Sequence, residues 1–329
     1  MPLCPRPTSR VYHGPMPHLS ENPLEGLRVL DGGLATELEF LGADITGPLW
    51  SAHVLEDTPD LVQAVHRAYI EAGAECIATV SYQVSRRGYR EIGLPPERAD
   101  RALIKAVELA VAVRDEFLPS RVLVAASLGP WGAALHNGAE YHGNYDCSFD
   151  DLVAFHRERI AVLAPTRVDL LAFETIPSLE EAEAIAEALK VWPEAKAWLS
   201  FTCRDGECVA HGEPLRQCAE FVATLPQAIA IGVNCTAPQW IPALIAQLKL
   251  AGDKPILVYP NSGETWDASA RRWRGSGDPD SFADHAQRWF QAGAQMVGGC
   301  CRTRPEHIRR VAAFARNISG SPSTPPPAP

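Results

Sequence analysis

Of the nine cysteines in this 329-residue chain, three stand where thiols can act together. Cys300 and Cys301 are adjacent, directly behind Gly298-Gly299, and Cys235 follows the apolar run Ala228–Asn234. Adjacent cysteines at the end of an apolar run rarely both serve a core. The two glycines ahead of them permit a tight backbone path that turns both sulfurs the same way. Three thiolates gathered in one place would hold a catalytic Zn²⁺ with a fourth position open to substrate, because soft sulfur ligands select zinc. The same residues also suit a metal-free vicinal thiol pair beside a small core cysteine, since no Cys-x-x-Cys pair is present, and the spacing leaves both readings open. Among the other thiols, Cys76 in an apolar run and Cys218 in a helical run read as core residues. Cys203 and Cys208 flank a loop, and Cys4 and Cys147 fall in loop-like sequence.

Sulfurs so far apart in sequence meet only if the elements that carry them end side by side. Short runs of Val, Ile, Leu and Ala alternate with longer segments of helical period, the pattern of parallel strands buried on both faces. The strand candidates are Arg28–Asp31, Ala74–Ser81, Val122–Ser127, Val168–Glu174, Ala195–Phe201, Ala228–Asn234, Pro255–Tyr259 and Ala294–Gly298. Helical segments follow them at Pro59–Ala72, Pro96–Phe117, Phe149–Ala164, Leu179–Val191, Leu215–Leu225, Gln239–Leu250, Ser281–Ala292 and Pro305–Ala315. Eight such units predict an α/β protein, a single (β/α)8 TIM barrel over residues 25–318, since an open doubly wound sheet has fewer strands. Barrel chemistry gathers at the carboxyl ends of the strands, which here read DGG, SYQ, LGPWG, FET, FTC, NCT, YPNSGE and GGCC. The zinc site is expected on that C-terminal rim. The opposite ends are short links such as Ala72-Gly73-Ala74, whose natural role is structural.

Residues 1–24 are proline-rich and aperiodic, and 319–329 are rich in Ser and Pro. They are expected as a mobile N-terminal extension, within which Met16 offers a second start, and a disordered tail. The chain as a whole is 46% hydrophobic, enough to fill a large core. Thirty Lys+Arg against 40 Asp+Glu give a net charge of −10. The one short basic cluster, Arg271, Arg272 and Arg274, is too small a footprint for a nucleic acid. No apolar run approaches the ~20 residues of a membrane span, and no secretory signal is evident. The expectation is a cytoplasmic protein with small-molecule partners and neither nucleic acid nor membrane.

The segments DGGLATELEFLGADI, ATVSYQVS, LGPWGAALHNGAEYHGNY, AFETIPSLEEAEAIAEAL, GVNCTAP, VYPNSGETWD and GGCCRTRPEHI together resemble the homocysteine S-methyltransferases. The likeness is greatest to the cobalamin-independent branch that uses S-methylmethionine or S-adenosylmethionine as methyl donor. It runs from about Leu27 to Ala315, and GVNC with GGCC carries most of its specificity. The resemblance implies zinc on Cys235, Cys300 and Cys301 as the catalytic and metal-binding residues, and zinc-dependent methyl transfer to L-homocysteine, giving methionine. A free thiol with a pKa near 8.5 is mostly protonated at neutral pH, and coordination would hold it as the nucleophilic thiolate.

Homocysteine also carries an ammonium and a carboxylate. By the resemblance, Glu174 and Asp31 bind this amino-acid portion, and the peptide groups of Gly32 and Gly33 are placed to meet its carboxylate. Asp31 alternatively reads as an N-cap ahead of Ala35–Leu41. Asn234 either braces backbone beside Cys235 or touches substrate. Asn261 and Glu264 are candidates for the donor's amino-acid portion. Trp50, Tyr82 and Trp131 either face a sulfonium or simply pack. His136, His142 and His211 form no ligand motif and read as solvent-facing. The competing functions are a betaine- or selenocysteine-type methyltransferase of the same family and a non-catalytic zinc or thiol sensor.

Overall fold

Parallel strands expose no face to water when helices cover the outside and side chains fill the inside, and the strands here are buried along nearly their whole length. The computed structural model describes residues 22–45, 50–267, 272–274 and 277–318. The expectations for residues 1–21 and 319–329, with Cys4, Met16 and Arg271, lie outside these, as do the side chains of Trp50, Arg272 and Arg274.

Seven parallel strands form one curled sheet: β1 Cys76–Ala78, β2 Leu123–Leu128, β3 Leu170–Ile176, β4 Ala197–Phe201, β5 Ala228–Asn234, β6 Ile256–Tyr259 and, after a hairpin of β7 Thr265–Asp267 and β8 Arg272–Arg274, β9 Met296–Val297. The expected first strand, Arg28–Asp31, shrinks to two bridge residues. Val29 pairs with Val297 and Leu30 with Cys76, so this segment bonds both sheet edges. The arrangement is that of a TIM-like barrel. Ala74–Ser81 and Ala294–Gly298 are also cut to three and two strand residues; at their amino ends the Ala74 and Ala294 N–H groups turn back to Tyr69 O and Trp289 O of the preceding helices.

The helices are α1 Leu34–Phe40, α2 Trp50–Asp57, α3 Pro59–Ala72, α4 Arg86–Glu91, α5 Pro96–Glu116, α6 Phe149–Leu163, α7 Leu179–Leu189, α8 Leu215–Ala223, α9 Ile241–Ala251, α10 Pro279–Ala292 and α11 Pro305–Ile318. Ser148, Ser178 and Asp278 begin α6, α7 and α10 by accepting backbone N–H groups of the first turn. Short α2 and α4 and the 3-10 turns Trp131–Leu135 and Ala139–Tyr141 were not evident in the sequence; they are too brief to show a period. No helix among the described residues is long and apolar enough to cross a membrane.

Alternation along each strand divides the apolar residues between two cores. Ile77, Val124, Leu171, Phe173, Leu199, Val233, Val258 and Val297 face the helices. Leu30, Cys76, Leu123, Ala125, Leu170, Ala172, Trp198, Ala230, Leu257, Tyr259 and Met296 fill the interior, joined by Leu24 and Leu27. At the amino ends, side chains bond to strand backbone: Glu75 accepts from the Arg28 and Val29 N–H groups, Asp169 from Val124 and Gln295 from Ile256. That end is locked, and the open end is the carboxyl rim.

The α3–β1 link shows how tightly the locked end is wound. Gly73 closes α3 at φ 104°, and Ala74 N–H reaches back to the Tyr69 carbonyl, a turn that glycine adopts without strain. A Cβ at Gly73 would lie 2.6 Å from that of Ala312 on α11. Gly73→Ala is expected to cost roughly 1–3 kcal/mol. The readout is a lower urea midpoint at unchanged slope, with activity per folded molecule retained.

Candidate active site

At the rim, the loop after β9 must fold back on the loop that follows Leu30, and only residues without side chains permit the contact. A Cβ at Gly33 would come 2.4 Å from the Cys300 carbonyl oxygen, and one at Gly299 would come 2.2 Å from Thr303 Oγ1. Gly299 N–H donates to the Asp31 carbonyl, and Gly33 N–H donates to Thr303. From the other side, the loop after β6 grips the same turn: Cys300 N–H donates to Pro260 O and Ser262 N–H to Cys301 O. Cys235, at the end of β5, adopts φ 50°, a conformation unfavourable for a residue with a side chain, and its N–H bonds to Tyr259 O. The loops thus bring three sulfurs together. The Sγ atoms of Cys235, Cys300 and Cys301 lie within 4.8 Å of one another, with Cys235 and Cys301 3.5 Å apart.

Their mutual hydrogen bonds make the thiols unequal. Bonds from Cys235 and Cys300 hold Cys301 well below the usual thiol range, whereas Cys300 is pushed up by its bonds to the other two. One proton leaves easily and the next with difficulty, a balance that a bound cation would shift toward full ionisation.

Below the sulfurs is a cavity of about 250 Å³ lined by Asp31, Gly32, Gly33, Glu174, Asn234, Cys235, Cys300 and Cys301. The eight residues assigned from the sequence to zinc and to homocysteine therefore line one cavity. Burial lifts the Glu174 carboxyl to about 7, against the opposing effect of bonds from the Ser127 and Tyr259 hydroxyls. Burial also raises Asp31 well above the usual carboxylate range, and the neighbouring charge of Glu174 raises it further, while the Ala78 N–H bond at 2.7 Å opposes both. A cation placed between two buried carboxylates that repel each other would favour their ionised forms.

Several expected roles change in the folded chain. Asp31 does not cap a helix, since Gly33 occupies that position before α1 and Asp31 bonds across to β1. The Gly33 N–H is already used by Thr303, so it is not available to a substrate carboxylate. Asn234 accepts from Thr175 N–H at 2.7 Å and donates to Thr175 Oγ1 at 2.8 Å. The β3–β4 register shifts between Phe173 and Ile176, and Thr175 sits at φ 60°. Asn234 thus satisfies the N–H that this irregularity frees, and in doing so it fixes the backbone beside Glu174.

Tyr82 lines the cavity, whereas Trp131 packs edge-on to Phe155 beneath Arg87. Asn261 and Glu264 do not line it, and Glu264 pairs with Arg302. His136, His142 and His211 lie outside the cysteine cluster; His142 accepts from Asn144 N–H, and His211 faces Glu213. Cys76 is buried in the interior and also reaches the cavity, and Cys218 is buried in the outer core. Sequence reading passed over Trp198, Tyr259, Glu140 and Tyr141, all of which line the cavity. Trp198 donates to the Tyr259 hydroxyl at 3.1 Å, and the Tyr141 hydroxyl is 3.4 Å from Cys235 Sγ. The first pair looks like core in sequence, and the second lies in a loop without period.

Comparison with known proteins agrees with this geometry. The family model described as homocysteine S-methyltransferase matches residues 28–315. Homocysteine S-methyltransferase YbgG of Bacillus subtilis is 44% identical over 300 residues, spanning 89% of this chain and 95% of that protein. The homocysteine S-methyltransferase of Escherichia coli is 42% identical over 304 residues, spanning 89% and 98%. The metallated crystal form of the homocysteine methyltransferase MmuM from Escherichia coli superposes with a TM-score of 0.81 at 40% identity, covering 89% of this chain and all of that one. With a matching model over nearly the whole described chain and the cysteine cluster at the rim, this protein belongs to the homocysteine S-methyltransferase family.

Proposed function

We propose that this enzyme transfers a methyl group from a sulfonium donor, S-methylmethionine or S-adenosylmethionine, to the thiolate of L-homocysteine, giving methionine. Its site lies at the carboxyl rim of a closed (β/α)8 barrel, with Zn²⁺ held by Cys235, Cys300 and Cys301. The observation that carries the reading is the convergence of three sulfurs within 4.8 Å over a cavity that holds two buried carboxylates. The donor set fits zinc, being three soft ligands with no imidazole or carboxylate among them. When bound, zinc would supply Lewis acidity that keeps the substrate sulfur ionised at neutral pH.

The chain's own residues do the rest. Glu174 and Asp31 receive the substrate ammonium, which relieves the cost of burying two like charges. Asn234, through Thr175, and Ser127 hold Glu174 in place. As the homocysteine sulfur bonds to the methyl carbon, the donor's carbon–sulfur bond breaks and its electron pair returns to the donor sulfur. No group of the protein needs to move a proton in that step. The small cavity and the acidic net charge fit small-molecule substrates, and the free cysteines suit a cytoplasmic enzyme.

Purified protein is expected to hold about one zinc per chain. Cys300→Ala and Cys301→Ala should each lose the metal and methyl transfer while keeping the far-ultraviolet circular dichroism of the wild type. Retention of metal and full turnover in either variant would falsify the site. Steady-state assays with S-methylmethionine, S-adenosylmethionine and betaine in parallel identify the donor, and metal binding without methionine formation from any of them would indicate a sensor.

Glu174→Gln is expected to raise the KM for homocysteine by about tenfold or more while zinc content stays unchanged. Loss of zinc in step with activity would instead make Glu174 a support of the metal. The same variant reports on the raised carboxyl. Between pH 4.5 and about 7 the folded chain keeps a proton that the unfolded chain has released. This group's stabilising contribution is therefore full below pH 4.5 and is lost as pH rises through 7. Urea unfolding should show Glu174→Gln gaining stability relative to wild type across that window and levelling off above it.

A further inference from the structure

A buried carboxylate oxygen without a hydrogen-bond partner is costly unless something arrives to meet it. Glu140 is 9% exposed, its Oε2 has no partner among the described residues, and it lines the same cavity as the three cysteines. Its position is built by several layers of structure. Glu140 lies in the turn Ala139–Tyr141, which packs so closely on the turn Trp131–Leu135 that a Cβ at Gly132 would be 2.4 Å from Glu140 N. Trp131 N–H is held at 2.6 Å by Glu181, a fully buried carboxylate paired to His156 at 3.0 Å. Arg159, also buried, fixes Gly129 O at 2.8 Å. The next residue, Tyr141, places its hydroxyl on Cys235 Sγ, so Glu140 stands one residue from a group that touches the sulfur cluster. Tyr82 brings an aromatic ring to the same cavity.

We propose that Glu140 receives the sulfonium of the methyl donor, separately from the ammonium receptor made by Asp31 and Glu174. The inference rests on the donor class proposed above. A sulfonium carries a fixed positive charge and no N–H or O–H. It is therefore met by an unbonded carboxylate oxygen and an aromatic face rather than by hydrogen-bond acceptors arranged for an ammonium. The charge also makes the contact self-cancelling. As the homocysteine sulfur takes the methyl carbon, the electron pair of the breaking bond neutralises the donor sulfur, and the attraction to Glu140 ends with a neutral thioether. Because the positive charge is already fading in the transition state, Glu140 acts on donor binding more than on the chemical step.

The expected result for Glu140→Gln is a KM for S-methylmethionine raised about tenfold or more, with kcat and the KM for homocysteine within about twofold of wild type. Glu140→Asp, which keeps the charge, should recover part of the loss. An unchanged donor KM, or an equal rise in the homocysteine KM, overturns the proposal. Calorimetric titration with trimethylsulfonium, using neutral dimethyl sulfide as control, reads the site without turnover. Wild type should bind the cation and not the sulfide, and Glu140→Gln should bind the cation about tenfold more weakly. Equal binding of cation and sulfide by wild type, or equal cation binding by both proteins, overturns the proposal, and the wild-type comparison decides even if Glu140→Gln does not fold. If wild type turns over no sulfonium donor while its cation binding depends on Glu140, the donor assignment fails and the cation site stands.

Discussion

The backbone of Gly33 lies against the carbonyl of Cys300 with no room for a side chain between them. That contact closes the rim where the first and last segments of the sheet meet. It is secured by Gly299 N–H on Asp31 O and by Thr303, whose hydroxyl accepts from Gly33 and donates to Cys300 O. Tyr69, from the last turn of α3, adds its hydroxyl to Thr303 O. Two of the three sulfurs and one of the two carboxylates are carried by the segments so joined. Their relative positions are therefore set by main chain, which is far stiffer than side-chain packing. A site meant to hold reacting groups within a fraction of an ångström gains from such a foundation.

The remaining parts hang on this frame through buried polar groups that would each be unfavourable alone. Asn234 binds both polar groups it meets on Thr175, and so couples the end of β5, next to Cys235, to the end of β3, next to Glu174. On the outer side, Glu181, His156 and Arg159 hold the loop that presents Glu140 and Tyr141. Each bond made in such an interior network offsets part of the cost of burying its polar groups, although Glu181 Oε2 and Arg159 Nε have no partner among the described residues. Of the carboxylate oxygens left without a partner among the described residues, that of Glu140 belongs to a residue lining the cavity.

The cavity itself follows from which residues fill the barrel. Alanines at 125, 172 and 230 take little space, and Trp198 with Tyr259 forms an aromatic pair. The lower interior is packed with Leu24, Leu27, Leu123 and Met296. The interior is thus solid at one end and hollow at the other. The hollow end is also where positive φ angles occur at Thr175, Cys235 and Arg302, conformations that persist only when surrounding structure over-determines them.

Residue order alone determined the alternation of apolar runs and helical periods, and with it the order of strands and the identity of the rim, because those patterns reflect local geometry that repeats every two or 3.6 residues. It also marked Cys235, Cys300 and Cys301, since adjacent thiols behind two glycines are an unusual pattern. Other features depend on neighbours distant in the chain. The first strand is reduced to Val29 and Leu30, each of which bridges a different edge of the sheet. Gly33 serves close packing rather than anion binding because Thr303, 270 residues away, already takes its N–H. Trp131 packs against Phe155 because its turn is pinned to α7, while Glu140 and Tyr141 enter the cavity from a loop without period. Periodicity tells which face of an element is buried, but hydrogen-bond partners and the direction of a loop side chain are properties of the closed fold. Tertiary structure therefore decided which polar groups were already satisfied by the protein and which, among the described residues, were not.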